Sequence, residues 1–198
     1  MPALFDIDFT CAPALHLMRG DTFIETGTQA GESFEVALLL PFRKVYTVEV
    51  DRANYDRCVQ RFQNRITMRW HPEFGCQRKG QIFFGSSPEV LPNLLKPEEK
   101  TVLWLDAHYV GNERREMDEK YGECALMAEL AAITRVPWKE RPVLLIDDAA
   151  CFRGDFWRRR EVNANFTPAT WPTIGEVLLA LEGHGYTMKI IGDIIWLW

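Results

Sequence analysis

The chain has 198 residues, 47% of them hydrophobic and 26% charged, which is the size and make-up of one α/β domain rather than a disordered chain. It has no run of about 18 apolar residues, so no membrane-spanning helix is expected, and its start lacks the basic region and apolar core of a secretory signal. The net charge of −5 argues against a nucleic-acid surface, and five scattered cysteines without a C-x-x-C pair predict reduced thiols in a cytoplasmic protein.

Residues 1–20 show little periodicity and read as an N-terminal arm. Thr22 to Thr26 is a short buried strand that runs into a loop with Gly27 and Gly31, and a helix follows to about Leu40, stopped by Pro41. Such a glycine loop in front of a helix N-terminus suits a nucleotide-like or carboxylate-bearing small molecule. Val45 to Val50 is a second strand, and Asp51 is placed to cap a helix over 52–64. The stretch 65–80 reads as a loop. Gln81 to Gly85 is a third strand, and Ser86 or Ser87 caps a helix with Pro88 in its first turn.

Thr101 to Leu105 is a fourth strand, ending at Asp106 and His108. Residues 109–124 hold eight charges in sixteen, the pattern of an exposed insertion or lid, and a helix follows over 125–134. Pro142 to Ile146 is a fifth strand, ending at Asp147 and Asp148. A long loop over 149–172 carries Arg153 and Arg158 to Arg160 among aromatic residues, and a run of charge is most simply a solvated face. Thr173-Ile-Gly-Glu176 is a capping box, and Met188–Ile191, Gly192-Asp193 and Ile194–Trp198 read as a hairpin. Trp196 and Trp198 share one face of that last strand, as core or as the surface of a homodimer. The prediction is a single domain with a Rossmann-like, doubly wound, mainly parallel seven-stranded sheet, helices on both faces and an antiparallel C-terminal hairpin.

A polar or acidic group stands at each of the five parallel strand ends: Glu25, Glu49, Ser86-Ser87, Asp106 and Asp147-Asp148. Strand ends in such a sheet open on one crevice, which makes them a ligand site. The first loop lacks both G-x-G-x-x-G and the phosphate-loop lysine, so a ligand with few phosphates is implied. Glu49 is placed to accept hydrogen bonds from both hydroxyls of a ribose.

These segments resemble the class I S-adenosylmethionine-dependent methyltransferases, closest in pattern to the small cation-dependent O-methyltransferases of the catechol type. Glu25-Thr-Gly27-Thr28-Gln-Ala-Gly31-Glu-Ser33 is similar to that family's cofactor loop, and Val45-Tyr-Thr-Val-Glu49 to its second strand. Gly85-Ser86-Ser87 resembles the adenine border, Leu105-Asp106-Ala-His108-Tyr109 its L-D-H-W element, and Leu145-Ile-Asp147-Asp148 its A-D-N element. The resemblance implies that Glu25, Gly27, Thr28, Gly31 and Ser33 line the methionine end of S-adenosylmethionine, with Asp106 beside them. It implies Glu49 for the ribose and Ser86 and Ser87 for the adenine. It implies Asp106, Asp147 and Asp148 as ligands of Mg²⁺ or another divalent cation, which three converging carboxylates would welcome.

The expected reaction is methylation of a small-molecule hydroxyl. Tyr109, Val110 and Gly111 stand where that family has a lysine base, which leaves His108 as the substitute base or as a packing residue. Two further readings stay open, a metal-independent methyltransferase and a methyltransferase-like binding protein without catalysis. No nucleic-acid substrate is expected, since the [DNS]-P-P-[YFW] element is missing. The loops 109–124 and 149–172 are the expected substrate side.

Overall fold

The computed structural model describes residues 20–63, 68–71, 75–78, 80–108, 120–121, 123–153 and 171–198. Seven strands form one sheet: β1 (Thr22–Thr26), β2 (Lys44–Glu49), β5 (Gly80–Phe84), β6 (Thr101–Leu105), β7 (Val143–Ile146), β8 (Met188–Ile191) and β9 (Ile194–Leu197). Their order is β5-β2-β1-β6-β7-β9-β8. β9 alone runs against its neighbours. The expected mixed sheet with its C-terminal hairpin is therefore present.

Helices α1 (Glu32–Leu39), α2 (Arg52–Phe62), α3 (Ser87–Leu94), α4 (Leu126–Thr134) and α5 (Ile174–Ala180) link these strands. Asp51 caps α2 by accepting from the Asn54 amide at 2.8 Å. The capping box of α5 forms in both directions, Glu176 N–H to Thr173 Oγ1 and Thr173 N–H to Glu176 Oε2. α3 starts at Ser87, with Ser86 as its N-cap residue, although the Ser86 hydroxyl makes no capping bond.

The central parallel strands β1 and β6 are buried on both faces, so their apolar residues alternate between two cores. Along β6, Val102 and Trp104 face α1 and α2, whereas Leu103 and Leu105 face α3, α4 and α5. β9 follows the same rule: Trp196 is fully buried with Phe34 and Phe62, and Ile195 and Leu197 enter the other core. Trp196 is therefore core, and Trp198 packs against it.

One sequence expectation needs correction. The stretch 65–80 is no plain loop, because β3 (Met68–His71) and β4 (Gly75–Arg78) pair antiparallel before β5 begins. This two-stranded unit is separate from the main sheet. Its pairing is local, and Pro72 and Gly75 obscured it by reading as loop punctuation. The arm over 1–19, the insertion over 109–119 and the arginine-rich 154–170 lie outside the described residues. Arg153 is exposed, and Phe152 is buried in the α3–α4–α5 core.

Candidate active site at the ends of the parallel strands

The strand order reverses between β1 and β6, which puts a crevice beyond their C-terminal ends. The sheet's hydrogen bonds continue past the ends of β1, β5, β6 and β7 there. Gly27 N–H bonds Val48 O at 2.9 Å, Asp106 N–H bonds Thr26 O at 3.1 Å, Asp147 N–H bonds Leu105 O at 3.2 Å, and Gly85 N–H bonds Glu49 O at 2.9 Å. The site residues predicted from the sequence thus hang from the rim of the sheet itself.

At the β1 end, Gly27 has φ +83°, and a Cβ there would lie 2.4 Å from the Asp106 carbonyl oxygen. Glycine is required by the contact between two strand ends as well as by the turn. Gly31 also has positive φ, and its missing side chain makes room for the ring of Phe62 on α2. Ser33 is buried in the first turn of α1.

Glu25 is buried beneath this loop. Thr47 donates its hydroxyl proton to Glu25 Oε2 at 2.6 Å, and Thr28 lies 2.6 Å from Thr47. Because Thr47 has only one proton, Thr28 is the donor in that second bond. Burial pushes the Glu25 carboxyl up to about 8, against the Thr47 hydrogen bond and helped by the charge of Glu49. Glu25 and Thr28 therefore act as the floor of the loop. Thr47 was not singled out from the sequence; a threonine at an inward position of an apolar strand was the available signal.

Glu49 ends β2. Its Oε2 accepts from Gln29 N–H and its Oε1 from Asp51 N–H, each at 2.8 Å. Gln29 reaches it with a left-handed backbone, φ +48°. Each carboxylate oxygen keeps a further acceptor site, so the group fits the pair of hydroxyls of a ribose. Burial raises its pKa, opposed by the Asp51 and Gln29 amides.

The expected serine pair splits. Ser86 is half-buried at the start of α3, but Ser87 is buried and donates its hydroxyl to Glu129 Oε1 on α4 at 2.5 Å. The Ser87 hydroxyl is thereby engaged between the two helices. Glu129 was also missed; a lone acid in the apolar run of α4 was its signal. Burial pushes Glu129 up to about 7, against hydrogen bonds from Ser87 and Thr26.

At the ends of β6 and β7, Asp106, His108 and Asp148 converge. His108 Nε2 lies 3.3 Å from Asp148 Oδ2 and 3.6 Å from Asp106 Oδ1. One ligand atom from each of the three lies within 4.8 Å of the others. All three of these atoms are buried and lack a hydrogen-bond partner. Burial raises the Asp106 carboxyl well above the carboxylate range, and the charges of Asp147, Asp148 and Glu25 add to it.

Of the three acids that the resemblance implies, Asp106 and Asp148 belong to this group, and the Asp147 Oδ2 is also buried without a hydrogen-bond partner. Asp147 accepts the Asp148 amide on Oδ1 at 2.8 Å and is not one of the three convergent residues. Burial pushes Asp147 up to about 7. Asp148 has φ +53°, a left-handed conformation that aspartate tolerates better than most residues and that turns its carboxylate toward His108. A cation fits this donor set, because it would satisfy three buried atoms that nothing else in the described residues satisfies.

No protein-family model matches the chain, and no curated protein matches it by sequence. Solved structures do match by shape. The S-adenosylhomocysteine-bound methyltransferase PaMTH1 of Podospora anserina aligns over 93% of this chain and 73% of its own, at 12% identity and a TM-score of 0.58. A Staphylococcus aureus protein assigned as a caffeoyl-CoA O-methyltransferase aligns over 93% and 78%, at 16% identity and 0.59. The O-methyltransferase TomG of Streptomyces achromogenes, solved with S-adenosylmethionine, aligns over 98% and 82%, at 16% identity and 0.56. The chain therefore has the fold of the class I S-adenosylmethionine-dependent methyltransferases, with small O-methyltransferases among its structural neighbours.

Proposed function

We propose that the chain is an S-adenosylmethionine-dependent methyltransferase that methylates a hydroxyl oxygen of a small molecule with the help of a divalent cation. The observation that carries this reading is one rim of the sheet with a ribose-fitting carboxylate, Glu49, at one end and the orphaned Asp106, His108 and Asp148 atoms at the other. The fold of the neighbours supports the cofactor. The charge of −5 supports a small acceptor rather than nucleic acid, and buried cysteines that form no disulfide, Cys58, Cys124 and Cys151, support the cytoplasm.

In this reading Glu49 holds the ribose and the loop from Gly27 to Gly31 covers the methionine part. Glu25, Thr47 and Thr28 keep that loop at a fixed height. Asp106 stands where the two halves meet. A bound dication would lower the pKa of the acceptor hydroxyl and fix its oxygen in line with the methyl group. Methyl transfer is a displacement governed by alignment, so a rigid rim supplies much of the rate.

Calorimetry with S-adenosylhomocysteine, with Mg²⁺ and with EDTA, tests the reading. Binding in the micromolar range is expected. An absence of binding at high micromolar concentration overturns it. Binding and turnover that ignore both metal and EDTA reduce it to a metal-independent transferase.

A further inference from the structure

We propose that Asp106, His108 and Asp148 form a site for a first-row transition-metal dication in preference to Mg²⁺, with His108 Nε2 as a ligand and not the general base. The proposal rests on the cation-assisted reading above and sharpens it, since that reading needs only some hard cation.

The geometry carries it. The His108 side chain is 1% exposed, and its Nε2 faces the two carboxylates at 3.3 and 3.6 Å without a hydrogen bond to either. Donor atoms bound at about 2.0–2.2 Å around one ion sit roughly 3–3.5 Å apart, so small movements would close the set. A general base needs its free nitrogen turned to the substrate, whereas this one is turned to acids.

The ring is also held in place. Trp171 meets it edge-on at 4.9 Å and Phe152 at 5.8 Å. The carboxylate opposite is fixed too. Asp148 sits in a left-handed turn, its amide is bound to Asp147, and the next two amides bond Asp193, Ala149 N–H to the carbonyl at 2.8 Å and Ala150 N–H to Oδ1 at 2.7 Å. A rigid imidazole nitrogen is a poor partner for Mg²⁺, which keeps oxygen ligands and water. It suits Fe²⁺, Ni²⁺ and Zn²⁺, with Co²⁺ between Fe²⁺ and Ni²⁺ in the affinity order and Mn²⁺ the weakest of the series.

The test uses metals alone on the full chain stripped with EDTA. Calorimetry with Mg²⁺, Mn²⁺ and Co²⁺ is expected to give one site, Co²⁺ at least tenfold tighter than Mg²⁺ and Mn²⁺ between them. Pulsed electron paramagnetic resonance of the Mn²⁺ form is expected to show coupling to an imidazole nitrogen. His108→Gln should remove that coupling and cost Co²⁺ at least tenfold in affinity, while changing Mg²⁺ less than about threefold. If His108→Gln fails to fold, the nitrogen signal of the unaltered protein decides. Equal affinity for Mg²⁺ and Co²⁺, a Mn²⁺ signal without nitrogen coupling, or no metal bound overturns the proposal. A titration with S-adenosylhomocysteine in EDTA separates the two readings: cofactor binding without metal binding sinks this site alone, and metal binding without cofactor binding sinks the transferase.

Discussion

Ser87 and Glu129 join two helices through one buried hydrogen bond, the hydroxyl at the start of α3 donating to a carboxylate on α4. Burial holds that carboxyl at about 7 and holds Glu25 at about 8, both up from 4.5. A carboxyl raised by folding takes up protons when the chain folds. Its stabilising contribution is complete below pH 4.5 and is lost as pH rises through 7 to 8. The ligand-free protein is expected to unfold at lower temperature at pH 8.5 than at pH 5.5. Glu129→Gln keeps an acceptor for Ser87 and cannot ionise, so it should flatten this slope and raise stability at pH 8.5 by on the order of 2 kcal/mol. Urea unfolding at both pH values measures it, and an unchanged slope would refute the assignment.

Glu49 holds two backbone amides, one per oxygen. Glu49→Gln replaces one acceptor by a donor and sets it against an N–H. The variant should lose about 1–3 kcal/mol of stability. It should also weaken S-adenosylhomocysteine by at least tenfold, because a ribose would lose half of its acceptor pair. Calorimetry and thermal unfolding together separate the two effects.

Gly27 and Gly192 both have positive φ, +83° and +63°, but only Gly27 is crowded. Gly192→Ala should cost about 1–2 kcal/mol, the price of the left-handed backbone alone. Gly27→Ala must also push away the Asp106 carbonyl. It should cost several kcal/mol and abolish cofactor binding. Similar unfolding midpoints for the two variants would count against the close contact.

Thr47→Val removes the proton that reaches Glu25 and the acceptor that holds Thr28. A loss of about 1–3 kcal/mol is expected. The cofactor should bind more weakly with no change in its stoichiometry, a result readable in one calorimetric titration. Thr47→Ser, which keeps the hydroxyl, should restore most of the affinity.

The sheet was legible in the sequence because its signals are local: buried apolar runs, Asp51 and Thr173 as caps, and the Gly192-Asp193 turn. The strand-end residues were legible for a related reason, since parallel strands deliver their ends to one edge. What stayed hidden depends on register. Thr47 meets Glu25 because β1 and β2 pair Glu25 with Thr47. Ser87 bonds Glu129 because the two lie on neighbouring helices. His108 meets Asp148 because Asp148 takes a left-handed turn after β7. The pairing of β3 with β4 was concealed by residues that punctuate loops.

The sheet's hydrogen bonds run one step beyond the strands at Gly27, Gly85, Asp106 and Asp147. The strand ends are therefore tied to one another by the same kind of ladder that holds the centre of the sheet. Under the proposed transfer to a hydroxyl, exchanging the insertion after β6 or β7 should alter which acceptor is methylated and leave the strand-end ladder as it is, so acceptor choice could be changed one loop at a time.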